Sequence, residues 1–527
     1  MSKKHIKLLS CVLALVLITG ITVPISFSAV PVDDPDHYSD IPVIYVAGEA
    51  SDALIIDNGT DEPECIHPIE LPENYISQFL TQENLKMFIK CYYSNNYDEF
   101  CNLLYDAYLP VYEKLTLNTQ GQPDNGSHHK HTSQVYPDIK DGKFKITHHK
   151  FYYDFRKDPC EIADELEKYI SAVCRSTNKN KVCLLGRCLG SNEILAYLDE
   201  YGTDKVSDVI LYSSAADGCE PVSHLFSGTA FVDNNALTNY AQDFDYSLFT
   251  NDETLIEFIK AFITAYNKIG GVKLALNEVN RVYGIVKNKV TPTLLKGSYG
   301  TWPGYWSMVD DENYEKAKEL IFGDDDDWAE FISIIDNYHY NIGLKSDEIL
   351  KKCADNGVDV YNIEKYGIAM IPVVKEYDVI SDGMVELGKS SKGATTVKIN
   401  ETFNKKYLTQ AAEKGTAKYI SPDKQVDAST CLFPDTTFFI KNLNHGDFPF
   451  VFNELISYMA SEGTFTVFED ENWPQYIVYN KEDDTASPMT AENCNTTERW
   501  NTSFFDAFKI VFKDFKYVFN LIKSLLG

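Results

Sequence analysis

Three groups that could together transfer an acyl group stand far apart in this chain: a thiol at Cys188, a carboxyl at Asp382 and an imidazole at His445. Cys188 lies between two glycines, in Gly186-Arg187-Cys188-Leu189-Gly190. An apolar run, Val182 to Leu185, precedes it, and a helical pattern with Ile194, Leu195 and Leu198 on one face comes after it. Strand, G-x-nucleophile-x-G turn and helix in that order make a nucleophile elbow. The middle residue takes a strained backbone and stands clear at a helix N-terminus, and glycine alone tolerates the crowding two positions to either side. The plainer reading is a tight strand-to-helix turn around a buried cysteine; it weakens because the other members of a catalytic set come later in the chain. Asp382, in Ser381-Asp382-Gly383, is expected on a turn after a strand at Gly367–Val374. His445, in Asn444-His445-Gly446-Asp447, falls between an expected strand, Thr436–Lys441, and a helix from Phe448 to Met459. The order nucleophile, acid, histidine suits a thiol deprotonated by an imidazole that a carboxylate orients.

Positioning such groups takes a sheet whose strands end together. Ile41–Ala47, Lys150–Phe155, Val182–Leu185 and Val206–Ser213 read as strands, with helices at Glu161–Val173 and after Cys188. That is a β-α-β-α-β series, and it predicts a mostly parallel sheet with crossover helices, an α/β fold. Pro221 to Lys345 has no strand pattern and is rich in aromatic residues, Trp302, Trp306 and Trp328 among them, so a helical cap is expected there. The division is then a leader at 1–28, core at 29–220, cap at 221–345, core again at 346–480, a linker at 481–500 and a terminal helix at 501–527. Phe465–Tyr479 is expected to add two short strands.

Composition narrows the partners. The 527 residues carry 78 acidic against 48 basic side chains, a formal charge of −30, which argues against nucleic acid as a partner. Lys3, Lys4 and Lys7, the apolar stretch Leu8–Val23 and Ser26-Phe27-Ser28 before Ala29 predict an export signal. Eleven cysteines lie beyond the leader; with Cys188 a free thiol, ten could form five disulfides, Cys91–Cys101 among them. Phe504 to Leu526 repeats Phe, Val, Ile and Leu at helical spacing, with Lys509, Lys513, Lys516 and Lys523 on the other side. A basic amphipathic helix of this kind either lies on a lipid surface or docks on the protein body. His128, His129, His131, His148 and His149 read as a solvated group, since no ligand spacing on a defined element supports coordination. The acidic run Asp324–Asp327 lacks the oxygen spacing of a calcium loop. No metal and no cofactor is expected.

Several segments together resemble one family. Tyr153-Asp154-Phe155-Arg156-Lys157-Asp158-Pro159 is similar to the Y-D-W-R-x-x-P segment of the lecithin:cholesterol acyltransferase-like branch of the α/β-hydrolases. Ser381-Asp382-Gly383-Met384-Val385 parallels its G-D-G-T-V, and Tyr299–Trp306 its aromatic segment ahead of the acid. The likeness spans roughly 41 to 459 and is weakest in the cap. It implies an α/β-hydrolase fold and acyl transfer or hydrolysis of lipid-like esters through Cys188, Asp382 and His445, without a cofactor. In that scheme the N–H groups of Leu189 and Glu49 hold the oxyanion, the Glu49 carboxylate points away from it, and Arg187 points to solvent. Two departures stand out. Cysteine replaces the serine, as in dienelactone hydrolases and polyhydroxyalkanoate synthases, and Ala47-Gly48-Glu49 lacks the usual Pro-Gly-x-Gly. A thiol favours thioesters, activated lactones or transfer to an acceptor, because thiolate leaves a tetrahedral intermediate more readily than alkoxide. The competing expectation is a non-catalytic binding protein that keeps the fold.

Overall fold

Alternation of apolar side chains builds the centre of the protein. The computed structural model describes residues 37–49, 52–59, 62–70, 81–137, 142–243, 252–494, 505–507, 509–511 and 513–514. Eight strands form its main sheet: β1 (Val43–Val46), β2 (His149–Phe151), β3 (Val182–Arg187), β4 (Val206–Tyr212), β5 (Asp359–Tyr366), β6 (Thr437–Lys441), β7 (Tyr476–Asn480) and β8 (Thr485–Pro488). They lie side by side as β8-β7-β6-β5-β4-β3-β1-β2. All neighbours are parallel except β8, which runs antiparallel to β7. Ile44, Val46, Leu184, Val209 and Leu211 enter the core on one face, and Val43, Tyr45, Leu185, Ile210 and Tyr212 enter the core on the other. A strand turns successive side chains to opposite faces, so a sheet covered on both sides needs apolar residues at nearly every position.

Helices α1 (Gln82–Ser94), α2 (Asp98–Tyr112), α3 (Pro159–Thr177) and α4 (Gly190–Tyr201) come before the cap region. α3 starts two residues ahead of the expected Glu161: the Asp158 side chain accepts from Cys160 N at 3.1 Å and Pro159 takes the first helical position. It packs with α4 against the first face of the sheet, while Phe452, Leu455, Ile456 and Met459 cover the second.

Between β4 and β5 every described element is helical: α5 (Glu220–Phe226), α6 (Asn234–Asp243), α7 (Glu253–Lys268), α8 (Gly271–Lys296), α9 (Pro303–Trp306), α10 (Asp311–Ile321), α11 (Ala329–Asn341) and α12 (Ser346–Asp355), with short 3-10 turns between them. α12 returns to the sheet, packing on β5 and α4. The other helices form a roof, which α1 and α2 join by packing Phe88, Phe100 and Leu104 on Val282, Val286 and Val290 of α8. Part of the roof thus comes from the connection between β1 and β2.

Four expectations change. The strand ahead of the acid is Asp359–Tyr366, not Gly367–Val374: buried Asn362, Glu364 and Lys365 mask its apolar pattern, and Gly367 (φ 94°) ends it. The strand expected at Lys150–Phe155 ends at Phe151. Residues 481–500, read as linker, contain β8, a polar edge strand. All eleven cysteines from Cys65 onward are unpaired thiols, so none of the five expected disulfides is present in this structure. Cys91 and Cys101 sit unbonded in one apolar cluster.

The leader expected at 1–28 lies outside the described residues, as does most of Phe504–Leu526. Of that last stretch, Ala507, Ile510 and Val511 pack on Ala261 and Ala265 of α7, against the roof. No described helix is long and apolar enough to cross a membrane.

Candidate active site

β3 runs into Cys188, whose φ of +52° places a residue with a Cβ in the left-handed region. The neighbouring backbone holds it there: Cys188 N donates to Tyr212 O at 3.1 Å, and its carbonyl accepts from Ser191 N at 3.1 Å. Three glycines make the approach possible. A Cβ on Gly186 would stand 2.7 Å from Ile194 Cδ1; one on Gly190 would stand 2.1 Å from Val46 O; one on Gly48 would stand 2.9 Å from Cys188 Cβ. The strand carrying Cys188, the helix after it and the end of β1 therefore meet backbone to backbone. Leu189 is the N-cap of α4, so Cys188 sits at the positive end of that helix. Neither Leu189 N–H nor Glu49 N–H donates to a backbone carbonyl among the described residues.

His445 and Asp382 arrive from the turns after β6 and β5. His445 Nδ1 lies 2.6 Å from Asp382 Oδ2, and His445 N donates to Asp382 O at 2.9 Å. Asp382 Oδ1 accepts from Met384 N at 3.0 Å and Val385 N at 2.9 Å. Both side chains are buried, and the imidazole shares a hydrogen bond with the Cys188 thiol. Burial alone would lower the basicity of His445. The Asp382 carboxylate and the Cys188 sulfur outweigh it and carry the imidazole up to about 9. Burial opposes ionisation of Asp382, yet His445 and Lys365 hold its carboxyl below the ordinary range. The three residues singled out from the sequence thus meet, on turns at the carboxyl ends of β3, β5 and β6.

Two residues in this assembly have other places than the sequence suggests. Arg187, expected in solvent, is 4% exposed and donates to Gly446 O. Lys365 is 1% exposed, and its ammonium donates to the carbonyls of Asn444 (2.8 Å), His445 and Asp447 (3.0 Å). Burial and the nearby Arg187 charge bring Lys365 down to about 7. Two buried cations therefore clasp four consecutive carbonyls around the histidine. The sequence carries a signal for Arg187 alone, a lone basic residue at the end of an apolar strand, where a charge requires a partner.

The Glu49 side chain is half-buried, with the Tyr305 hydroxyl and His445 near enough to act on its charge. Burial lifts it to about 7, although Tyr305 and His445 both favour the ionised form.

The two aromatic segments that carry the family resemblance support this side. Tyr153 donates its hydroxyl to Ala47 O at 2.5 Å. Gly304 N donates to Arg156 O at 3.1 Å, and Arg156 pairs with Asp154 in the interior. Tyr299 packs against Tyr305 (ring centroids 5.6 Å apart) and lines an apolar cleft between α2 and α8. That cleft offers about 100 Å³ of free space, and Leu104, Tyr108, Val286, Val290 and Val373 are among its walls.

The remaining polar groups have structural settings. His128 and His129 form a short strand paired with Leu54 and Ile55, and His131 Nδ1 meets Asp52 Oδ1 at 2.6 Å. His149 lies in β2, where burial lowers it to about 4. Asp325 pairs with Lys296 at 2.7 Å. Among the described residues no group of three or more His, Cys, Asp or Glu side chains is placed to hold a metal ion. No family model matches the chain, and none of the curated proteins compared with it does so either.

Proposed function

We propose that the chain is an α/β-hydrolase-fold enzyme of the lecithin:cholesterol acyltransferase-like kind, moving or hydrolysing acyl groups of lipid-like esters or thioesters through a Cys188 thioester. The observation that carries this reading is His445, hydrogen-bonded both to Asp382 and to a sulfur on a positive-φ turn at a helix N-terminus. Strand order supports it as well. Connections reverse direction between β1 and β3, and ligands of open α/β sheets bind where that happens, at the strands' carboxyl ends. Glu49 comes just after β1 and Cys188 just after β3.

In the proposed reaction His445 takes the Cys188 proton, and the imidazolium and the positive end of α4 stabilise the thiolate. Sulfur adds to the acyl carbon while the Leu189 and Glu49 N–H groups receive the developing oxyanion. His445 then gives its proton to the leaving group, and water or an acceptor alcohol or thiol releases the acyl group by the same steps in reverse. The apolar cleft beside Tyr299 suits an acyl chain. The leader at 1–28 supports export as the setting.

Mass spectrometry after incubation with iodoacetamide, and separately with p-nitrophenyl butyrate, tests this. One butyryl adduct is expected on Cys188, and iodoacetamide should alkylate Cys188 faster than the exposed thiol of Cys65. Hydrolysis of aryl ester, acyl thioester and phospholipid should fall roughly 10⁴-fold or more in Cys188→Ala. Undiminished turnover in that variant would end the proposal. Absence of any Cys188 adduct or turnover would favour a binding protein.

A further inference from the structure

Fully buried lysines are rare, and Lys365 spends its whole donor capacity on the backbone of a single turn. Its Nζ donates to Asn444 O at 2.8 Å, to His445 O, and to Asp447 O at 3.0 Å. An ammonium has three N–H groups and no lone pair, so three carbonyls match it one for one. A neutral amine has two N–H groups and a lone pair. In the same place it would leave one buried carbonyl without a donor and set its lone pair against that oxygen. The turn that carries His445 therefore keeps its place through a proton held on another residue.

The surroundings make that proton the one that yields. β4 runs between β5 and β3 and turns Tyr212 to the same face, its ring centroid 5.0 Å from Lys365 Nζ. From β3, Arg187 reaches toward the same turn, 3.5 Å from His445 O. Two cations thus crowd one turn, and a guanidinium does not give up its proton in proteins, whereas a buried lysine does. Asp382, Asp447 and the Cys188 sulfur favour the charged lysine. Glu364, its neighbour in β5, turns to the opposite face of the sheet. Burial and Arg187 outweigh the anions and bring Lys365 down to about 7.

We propose that Lys365 is a positioning residue that acts only as an ammonium, its proton fixing the turn that holds His445 against Cys188. The proposal rests on the acyl-transfer reading of Cys188 and adds a proton that takes no part in the bond changes. With the ammonium in place, Lys365 and Arg187 tie four consecutive carbonyls, and Asp382 aligns the imidazole from 2.6 Å. When the ammonium gives its proton to solvent, one carbonyl is released, the turn gains room and the imidazole leaves its line to the sulfur. Activity therefore falls as pH rises through about 7.

The experiment compares kcat for p-nitrophenyl butyrate in wild type and Lys365→Met across this range. Methionine nearly matches lysine in length and carries neither charge nor donor, so it stands in for the deprotonated state. Wild type should exceed the variant roughly 10²-fold in kcat at low pH, with KM little changed. Above the limb the ratio should fall about tenfold per pH unit until the two profiles meet, as one titrating group requires. A lysine that only supports the fold gives a ratio that does not change with pH. In the full chain labelled with ¹³C at lysine Cε and histidine Cε1, one lysine signal should titrate near 7. The His445 signal, absent from His445→Asn, should move with the same midpoint. Those two wild-type signals decide alone if Lys365→Met does not fold. A ratio independent of pH, or a His445 signal that does not follow the lysine, overturns the proposal while Cys188 still takes its label. An unreactive Cys188 overturns the acyl-transfer reading, and with it the catalytic consequence proposed for Lys365.

Discussion

The two walls facing Cys188 are fastened by different means. On the histidine side, Lys365 and Arg187 grip the carbonyls of residues 444–447, and Asp382 is fixed by two N–H groups and the imidazole. On the Glu49 side, a single hydroxyl from Tyr153 and a cluster of rings do the holding. Charge-assisted bonds in a dry interior are strong and directional; ring contacts are broad and tolerate sliding. In the proposed reaction the histidine must meet the sulfur in one geometry at every step, whereas the other wall must accommodate a substrate. The fastening matches that division of labour.

Removing the strongest fastener should have the largest effect. Lys365→Met strips the donor from three buried carbonyls and frees the histidine turn; a misplacement of this kind costs roughly 10²-fold in kcat with KM little changed. It should also lower stability by about 2 kcal/mol, the unsatisfied acceptors outweighing the relief of an uncharged interior. Unchanged kcat in this variant would break the contrast between the walls.

Next comes the charge state of the histidine. His445 is raised from 6.5 to about 9, so the fold binds its proton more tightly than the unfolded chain does. The associated stability is fully present below about 6.5 and is lost as pH rises through about 9. The difference in Tm between wild type and His445→Asn should therefore shrink across that window. A constant difference would mean that Asp382 and Cys188 do not hold a charged imidazole. The smallest effect belongs to the other wall. Tyr153→Phe deletes one hydroxyl on Ala47 O and should cost about 1 kcal/mol in denaturant unfolding. A loss as large as that of Lys365→Met would show the Glu49 wall to be as rigid as the histidine wall.

How far the sequence disclosed this site depended on what each residue does locally. Cys188 was legible because its turn demands glycines at fixed offsets, and those glycines are what the packing requires. His445 and Asp382 were legible as turn residues in the right order, even though the strand ahead of Asp382 was placed too late. There Asn362, Glu364 and Lys365 lie buried inside β5, and polar letters in a parallel central strand hide it from any reading by hydrophobic run. β8 was missed for the converse reason: an exposed edge strand has little apolar pattern to show. Arg187, Lys365 and Glu49 could not be placed, because the partners of a buried charge come from distant turns. The roof was half seen, since nothing in α1 or α2 marks them as neighbours of α8.

The sulfur leaves the ribosome long before its base. Arg187 and His445 stand 258 positions apart in the chain while meeting in the folded protein. A nascent polypeptide, or one truncated within the roof, carries the thiol on its bend with no imidazole to deprotonate it and no lysine to seat one. In the proposed reaction, acylating power therefore arises as a late event of folding, which keeps a reactive nucleophile dormant until the last parallel strands have joined the sheet.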